Sequence, residues 1–337
     1  MNNSTIEQPS SMVDGPFFVS MIVINAFSGV LAIVLNLLVI VTFVKTPSLR
    51  TPSNILILSL AFTDFVVGTL VQPAYCARLL AVMANNTVVY RSVFEVFSPV
   101  FVILIWASIL TITAITVDRF LALHLHLRYQ ELVSRKRISM VVIMIWTFSV
   151  LWTCLFLLMR NVTVVIVHID NFLSLSLLLL NIVLMLKISC VIRRHAAQIQ
   201  VQNQAMNALP DVAVNIKRSV NIMYYVLGIF VICYSPLICI SIMKAFMSKL
   251  VLGLIVLIMV NTILMLNSSI NPLIYFWRIQ DMRNAALPLF RCFRRNNNNN
   301  DNNNNSNNNN NNNYNNRNSN NNGNANNNDN NYSCSVV

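Results

Sequence analysis

Seven long apolar runs constrain this chain more than any other feature of its sequence. They lie at Phe17–Val44, Ser53–Leu80, Ser92–Leu123, Ile138–Met159, Ile166–Val191, Val214–Phe246 and Leu250–Phe276. Each is long enough to cross a hydrocarbon core of about 30 Å as a helix. In lipid every backbone polar group must be satisfied internally, so only helices and closed barrels can span. The 337 residues are 56% apolar and 10% charged, against roughly 25% charged in a soluble domain. Six glycines and ten prolines over the whole length disfavour a turn-rich β architecture. The pattern predicts an all-α membrane protein, a seven-transmembrane-helix bundle over residues 17–276 after an extracellular segment 1–16. The first run lacks a basic leader and a small-residue cleavage motif, so it reads as a span rather than a removable signal.

Orientation follows from the basic residues between the runs. Of the 23 Lys and Arg, eighteen fall on one side, from Lys45 and Arg50 to Arg294, Arg295 and Arg317. Arg78, Arg91, Arg160, Lys244 and Lys249 fall on the other. The positive-inside rule then places the amino terminus outside and the carboxyl terminus inside. Asn-x-Ser/Thr sequons at Asn2, Asn3, Asn85 and Asn161 all lie on the outer side and are the candidate glycosylation sites. The net charge of +12 is thereby explained without nucleic acid. Seven cysteines show no CxxC pair and no metal-ligand spacing.

Beyond the last run, residues 277–295 read as a short amphipathic eighth helix at the inner membrane interface, in contact with membrane lipids. Cys292 at its end is placed for palmitoylation; an unmodified thiol is the plainer alternative. Residues 296–337 are mostly asparagine, too poor in apolar surface to offset chain entropy, and are expected to form a disordered cytoplasmic tail. The terminal Ser335-Val336-Val337 fits the pattern that adds a strand to a PDZ domain.

Polar residues inside the runs each require a reason. Asp64 is the only acid deep within one, and Ser108, Asn267, Ser268 and Asn271 sit at depths that converge on it in a compact bundle, with Asn36 nearby. A carboxylate ringed by hydroxyls and amides is a hard-oxygen site for a small cation; a structural carboxylate hydrogen-bonded in the bundle is the alternative. Asp118-Arg119-Phe120 closes the third run, where Arg119 reads as a buried cation beside its own carboxylate, releasable to a partner. Pro236 and Pro272 interrupt the sixth and seventh helices and supply hinges.

Taken in order, these residues carry a resemblance. Asn36-Leu37-Leu38-Val39, Leu60-Ala61-Phe62-Thr63-Asp64, Asp118-Arg119-Phe120, Trp146, Phe230 with Cys233-Tyr234-Ser235-Pro236, and Asn271-Pro272-Leu273-Ile274-Tyr275 fall one per expected helix. Over about residues 20–293 the chain resembles a rhodopsin-like (class A) G-protein-coupled receptor. The resemblance implies that Asp64, Ser108, Asn267, Ser268 and Asn271 form an allosteric sodium pocket. It also implies that Asp118, Arg119, Phe120, Phe230, Tyr234, Pro236, Asn271, Pro272 and Tyr275 are coupling and microswitch residues that answer to a heterotrimeric G protein.

Departures narrow the reading. Phe94 stands where the family usually has a helix-three cysteine, and the Arg160–Asn171 loop has no cysteine to pair with it. Tyr234 replaces the toggle tryptophan, and helix five lacks its proline. The missing disulfide and proline resemble the melanocortin–cannabinoid–lysolipid branch, whereas Leu127-Arg128-Tyr129 resembles adenosine receptors. Phe101 replaces the aspartate of amine receptors and Met265 the lysine of opsins; Ala74, Phe94 and Ser98 replace the acidic cluster of melanocortin receptors. An upper cavity of Phe101, Leu104, Tyr234, Leu237, Ile238 and Val260, with Gln72 and Asn261 as scarce polar groups, suits a small neutral or lipid-like extracellular ligand. Plain bundle packing is the alternative for most of these side chains. A multi-span transporter or pump is the competing class, and the absence of an internal repeat or a chain of buried acids speaks against it. His124, His126, His168 and His195 lie near loops and build no catalytic set, so no enzyme is expected.

Overall fold

A helix satisfies its own backbone, and the described residues use that solution almost throughout. The structure, a computed structural model, describes residues 14–125, 128–159, 163–203, 228–229, 231–240, 242–243, 254–278 and 284. These fall in a unit Met1–Met282, apart from Asn284 in a second unit, Arg283–Val337. No strand occurs among the described residues. The helices are α1 (Asp14–Lys45), α2 (Pro52–Val66), α3 (Gln72–Met83), α4 (Thr87–Leu125), α5 (Tyr129–Leu132), α6 (Arg135–Leu158), α7 (Thr163–Asn203), α8 (Val231–Ile240) and α9 (Leu254–Arg278). Among the described residues six stretches are long and apolar enough to span a membrane: Gly15–Lys45, Pro52–Met83, Thr87–Leu125, Arg135–Leu158, Val165–Val191 and Leu254–Ile274. The shorter α8 is the described part of the expected sixth span. The architecture is the all-α seven-helix membrane bundle. Most of the proposed eighth helix and all of the Asn-rich tail lie outside the described residues.

Two boundaries differ from the sequence pattern for identifiable reasons. The second span is not one regular helix: a π turn at Val67–Val71 separates α2 from α3. Pro73 follows at once; it has no N–H to give the Thr69 carbonyl four residues earlier, and its ring crowds that carbonyl. An extra residue in the turn absorbs the mismatch. The fifth helix does not end near Val191 but runs on to Asn203. The stretch Ile192–Asn203 has alanines, arginines and glutamines and no glycine or proline, so nothing in it stops a helix.

Lipid offers helices little hydrophobic reason to associate, so close backbone approach and interhelical hydrogen bonds carry the specificity. At Gly68 a Cβ would come within 3.0 Å of both the Gly29 carbonyl oxygen and the Ala32 Cβ; the absent side chain lets α1 meet the π turn. Pro272 leaves the Ser268 carbonyl without its helical donor, and the buried Asn36 of α1 supplies one from Nδ2 at 3.0 Å. Higher on the same seam Asn25 Nδ2 donates to Thr262 Oγ1 at 2.9 Å, Ser269 Oγ to the Ser28 carbonyl at 2.7 Å, and Gln72 Nε2 to Ser28 Oγ at 2.7 Å.

The other side of the bundle is held by fewer, larger groups. Asn181 of α7 donates to Thr113 Oγ1 of α4 at 2.8 Å. Asp170, near the start of α7, accepts from both Trp106 Nε1 at 3.2 Å and Trp152 Nε1 at 2.9 Å, tying α4, α6 and α7 through one carboxylate oxygen. Trp146 Nε1 of α6 donates to Ser59 Oγ of α2 at 3.3 Å. Cys76, Cys154, Cys190, Cys233 and Cys239 are all free.

The Asn36–Ser268 bond makes a specific expectation. Asn36→Ala leaves a buried carbonyl without a donor, a cost of about 1–3 kcal/mol, and should lower the apparent Tm of the purified protein. Adding Pro272→Ala restores a main-chain N–H four residues after Ser268, so the double variant should recover part of the loss. Losses that simply add would show that Asn36 does not serve this carbonyl.

Candidate functional site

The functional candidates fall into three groups along the bundle. At the end carrying the Asp118-Arg119-Phe120 motif, Asp118 is buried and each of its oxygens has a hydroxyl donor: Ser53 of α2 to Oδ2 and Tyr129 of α5 to Oδ1, both at 2.7 Å. Arg119 Nε stands 3.8 Å from Asp118 Oδ2, and its side chain is 25% exposed. The sequence led us to expect a buried cation; the structure gives a partly exposed one at the outer limit of pairing distance. Strong partners already fill the carboxylate, so the guanidinium is held loosely. Phe120 stacks on His124 with ring centroids 5.4 Å apart. Burial pushes the Tyr129 phenol up from its ordinary value, and donation to Asp118 acts in the same direction while Ser53 opposes it.

Midway along the bundle lies Asp64, only 1% exposed. Asn271 Nδ2 donates to its Oδ2 at 2.9 Å, and Ser268 also hydrogen-bonds to it. Ser108 shares a hydrogen bond with Tyr234, which lies close enough to feel the Asp64 charge. Asn267 Oδ1 and Asn271 Oδ1 are buried with no donor. The proline kinks place Pro272 inside α9 and Pro236 inside α8. Tyr275 is helical within α9, but its side chain lies outside the described residues, as does Phe230 altogether.

At the opposite end, beside the turn at Asn85, α3, α4 and α9 enclose a cavity of about 350 Å³. This falls at the small end of ligand sites, which run to about 300–1,000 Å³. Of the residues expected to line a pocket, Phe101 and Asn261 do. Gln72 is instead buried in the α1 seam, and Leu104 packs in the apolar core with Tyr75 and Ile258. Tyr234 and Ile238 are buried and Leu237 is half-buried on α8. Ala74, Phe94 and Ser98 line the cavity, and so does Arg78, which sequence reasoning used only to count charge.

Asn85 itself is exposed and adopts φ 51°, a left-handed conformation that asparagine tolerates well. Asn86 Oδ1 accepts from Val89 N at 3.0 Å and caps the start of α4. The turn thus presents the Asn85 sequon openly. Asn2, Asn3, Asn161 and Cys292 lie outside the described residues.

Comparison with known proteins settles the family. Residues 35–275 match the 7 transmembrane receptor (rhodopsin family). The chain belongs to that family. Among curated relatives it is similar to melanocortin receptor 4 of Danio rerio, 28% identical over 290 residues covering 79% of this chain and 82% of that receptor. It is similar to melanocortin receptor 5 of Rattus norvegicus, 28% identical over 284 residues covering 79% and 83%. Melanocortin receptor 5 of Homo sapiens is 26% identical over 283 residues, covering 78% and 82%. A rhodopsin-family receptor is a multi-pass membrane protein with an extracellular ligand and a G protein as partners, and not an enzyme by family. In this receptor the Tyr129 that suggested an adenosine-receptor-like stretch has a local task, fastening α5 to Asp118.

That fastening is testable by pH. A phenol whose folded pKa is raised contributes its bond fully below the unfolded value of about 10 and loses it as pH rises through the folded value. Tyr129→Phe should therefore destabilise the receptor by about 1.5 kcal/mol, the low end for a bond to a charged group because the site is partly exposed. The Tm gap between variant and wild type should stay constant from about pH 6 to 9. A gap that closes within that range would remove this role for Tyr129.

Proposed function

We propose that this rhodopsin-family receptor lies in the plasma membrane, amino terminus outside and carboxyl terminus inside. A small, predominantly apolar ligand enters the cavity between α3, α4 and α9, and Arg119 at the far end engages a heterotrimeric G protein. The observation that carries this reading is the opposed placement of a roughly 350 Å³ cavity at one end and a loosely held guanidinium at the other. A two-state bundle connects such ends when a ligand prefers one state. Asp118 is retained by Ser53 and Tyr129 when Arg119 leaves it, so releasing the arginine does not strand a buried charge. Tyr234 on α8, bonded to Ser108 and within reach of the Asp64 charge, would couple movement of its helix to the middle of the bundle. The transporter reading has no comparable support, since Asp64 has neutral partners rather than a relay of acids.

Asp64, Ser108, Asn267, Ser268 and Asn271 would hold a sodium ion. The fit rests on the donor set: one carboxylate with two buried amide oxygens that have no donor, an arrangement of hard oxygens suited to such a cation. Bound there, the ion would balance the Asp64 charge in a low-dielectric site. Glycans at Asn2, Asn3, Asn85 and Asn161, a palmitate at Cys292 and a PDZ-domain partner at Ser335-Val336-Val337 belong to the same reading.

Two outcomes check it in cells. Arg119→Ala should abolish G-protein activation while surface expression persists; normal signalling would remove the coupling role. Raising sodium at constant ionic strength should lower basal signalling, and Asp64→Asn should erase that dependence. Equal responses to sodium and potassium in the wild type would reduce the pocket to polar packing, because general screening does not distinguish the two.

A further inference from the structure

The cavity has a charge asymmetry that its apolar lining conceals. Its walls are mostly aliphatic and aromatic, with Val71, Leu79, Phe97, Phe101, Leu257 and Ile258 among them. Among the described residues one charged side chain lines it, Arg78, and no carboxylate does. Among the described residues the ion pair is Asp118–Arg119, so Arg78 has no acid within pairing distance there. Ala74, Phe94 and Ser98, the places from which an acidic cluster would draw a basic peptide, line the same cavity without charge.

Arg78 is also held in place. Its Nη2 donates to the Tyr90 hydroxyl at 2.7 Å. Its guanidinium carbon lies 4.7 Å from the Tyr90 ring centroid and 4.8 Å from that of Phe94, within cation–π range. The side chain is half-buried, near the Asn85 turn, where the ordering cost of a long flexible group is already met. Five N–H donors belong to a guanidinium, and the phenol takes one. Rigid, cationic and donor-rich, the group matches a carboxylate or phosphate, which it can bind with two parallel hydrogen bonds.

We propose that the receptor's ligand is an anionic amphiphile, its acidic head on Arg78 and its apolar body along the Phe97, Phe101 and Ile258 walls. This rests on the cavity being the ligand site, and it changes the expectation of a neutral ligand to that of an anionic one. A basic peptide meets the wrong sign at this position.

The test uses the full-length receptor in zwitterionic nanodiscs and four probes sharing one C12 chain: dodecanoate, dodecyl phosphate, dodecanol and dodecylamine. Affinities come from thermal-shift titration. Both anions, or one of them, should bind about tenfold or more tightly than dodecanol, with dodecylamine weakest; their ranking tells carboxylate from phosphate. Arg78→Gln should bring the anions down to the dodecanol level and leave dodecanol unchanged. Arg78→Glu should invert the order in favour of dodecylamine, which keeps the test decisive if the glutamine variant folds poorly. Phe101→Trp, which fills the cavity, should weaken every probe. Should dodecanol bind in a Phe101-dependent way with no advantage for either anion, the Arg78 assignment is overturned while the cavity stands as the ligand site. If no probe binds, or Phe101→Trp alters nothing, the cavity reading falls and the Arg78 assignment with it.

Discussion

A carbonyl oxygen in hydrocarbon must find a donor, and the arrangement of this bundle follows from how one such oxygen finds it. Pro272 cannot serve Ser268, so the main chain of α9 depends on Asn36 of α1. That bond fixes the depth at which the first and last helices meet. Once it is made, Asn25 falls level with Thr262 and Ser28 with both Gln72 and Ser269. The same turn of α9 carries Asn271 and Ser268 to Asp64. Registering the helices and building the polar centre are thus one event. Where polar pairs rather than apolar burial drive association, position along the helix axis is set by a handful of hydrogen bonds.

The two ends of the bundle use arginine in opposite ways. Arg119 faces a carboxylate whose two oxygens each already have a closer hydroxyl donor, and the cation at 3.8 Å is weakly restrained and partly exposed. Arg78 has no carboxylate within ion-pair distance among the described residues, yet one hydrogen bond and two aromatic faces restrain it firmly. A loose cation can be handed to a protein partner; a fixed one with spare donors recognises a small anion at low entropic cost. Charge alone does not distinguish these roles. The neighbours do.

The fold was legible because apolar run length in lipid has a single meaning, and six of the seven runs fall on helical stretches long and apolar enough to span, the fifth helix running on beyond its apolar part to Asn203. The polar centre was legible for a related reason: Asp64, Asn267, Ser268 and Asn271 are expensive where they stand, so their presence advertises itself. Tyr129 was not, because a tyrosine in a short loop costs nothing and its link to Asp118 depends on how α5 folds back. Asp170 was overlooked near a span's end, where an acid is cheap; only the convergence of Trp106 and Trp152 makes it a tie. Arg78 could have been found. A basic residue inside an apolar run, on the side poor in basic residues, carries the same cost argument as Asp64, and counting it for orientation hid that.

The Asn36–Ser268 bond also sets an order of events during synthesis. Its partners are 232 residues apart, and at a translation rate of about 5–20 residues per second the interval between them is roughly 10–50 s. Through that time the side-chain amides of Asn25 and Asn36 stand in a helix whose eventual partners on α9 have not been made. Within the first helix each amide nitrogen has a local acceptor, the Met21 and Ala32 carbonyls one turn back. These local bonds persist in the finished bundle alongside the long-range ones. The contacts that register the first helix against the last form only after the last one leaves the ribosome.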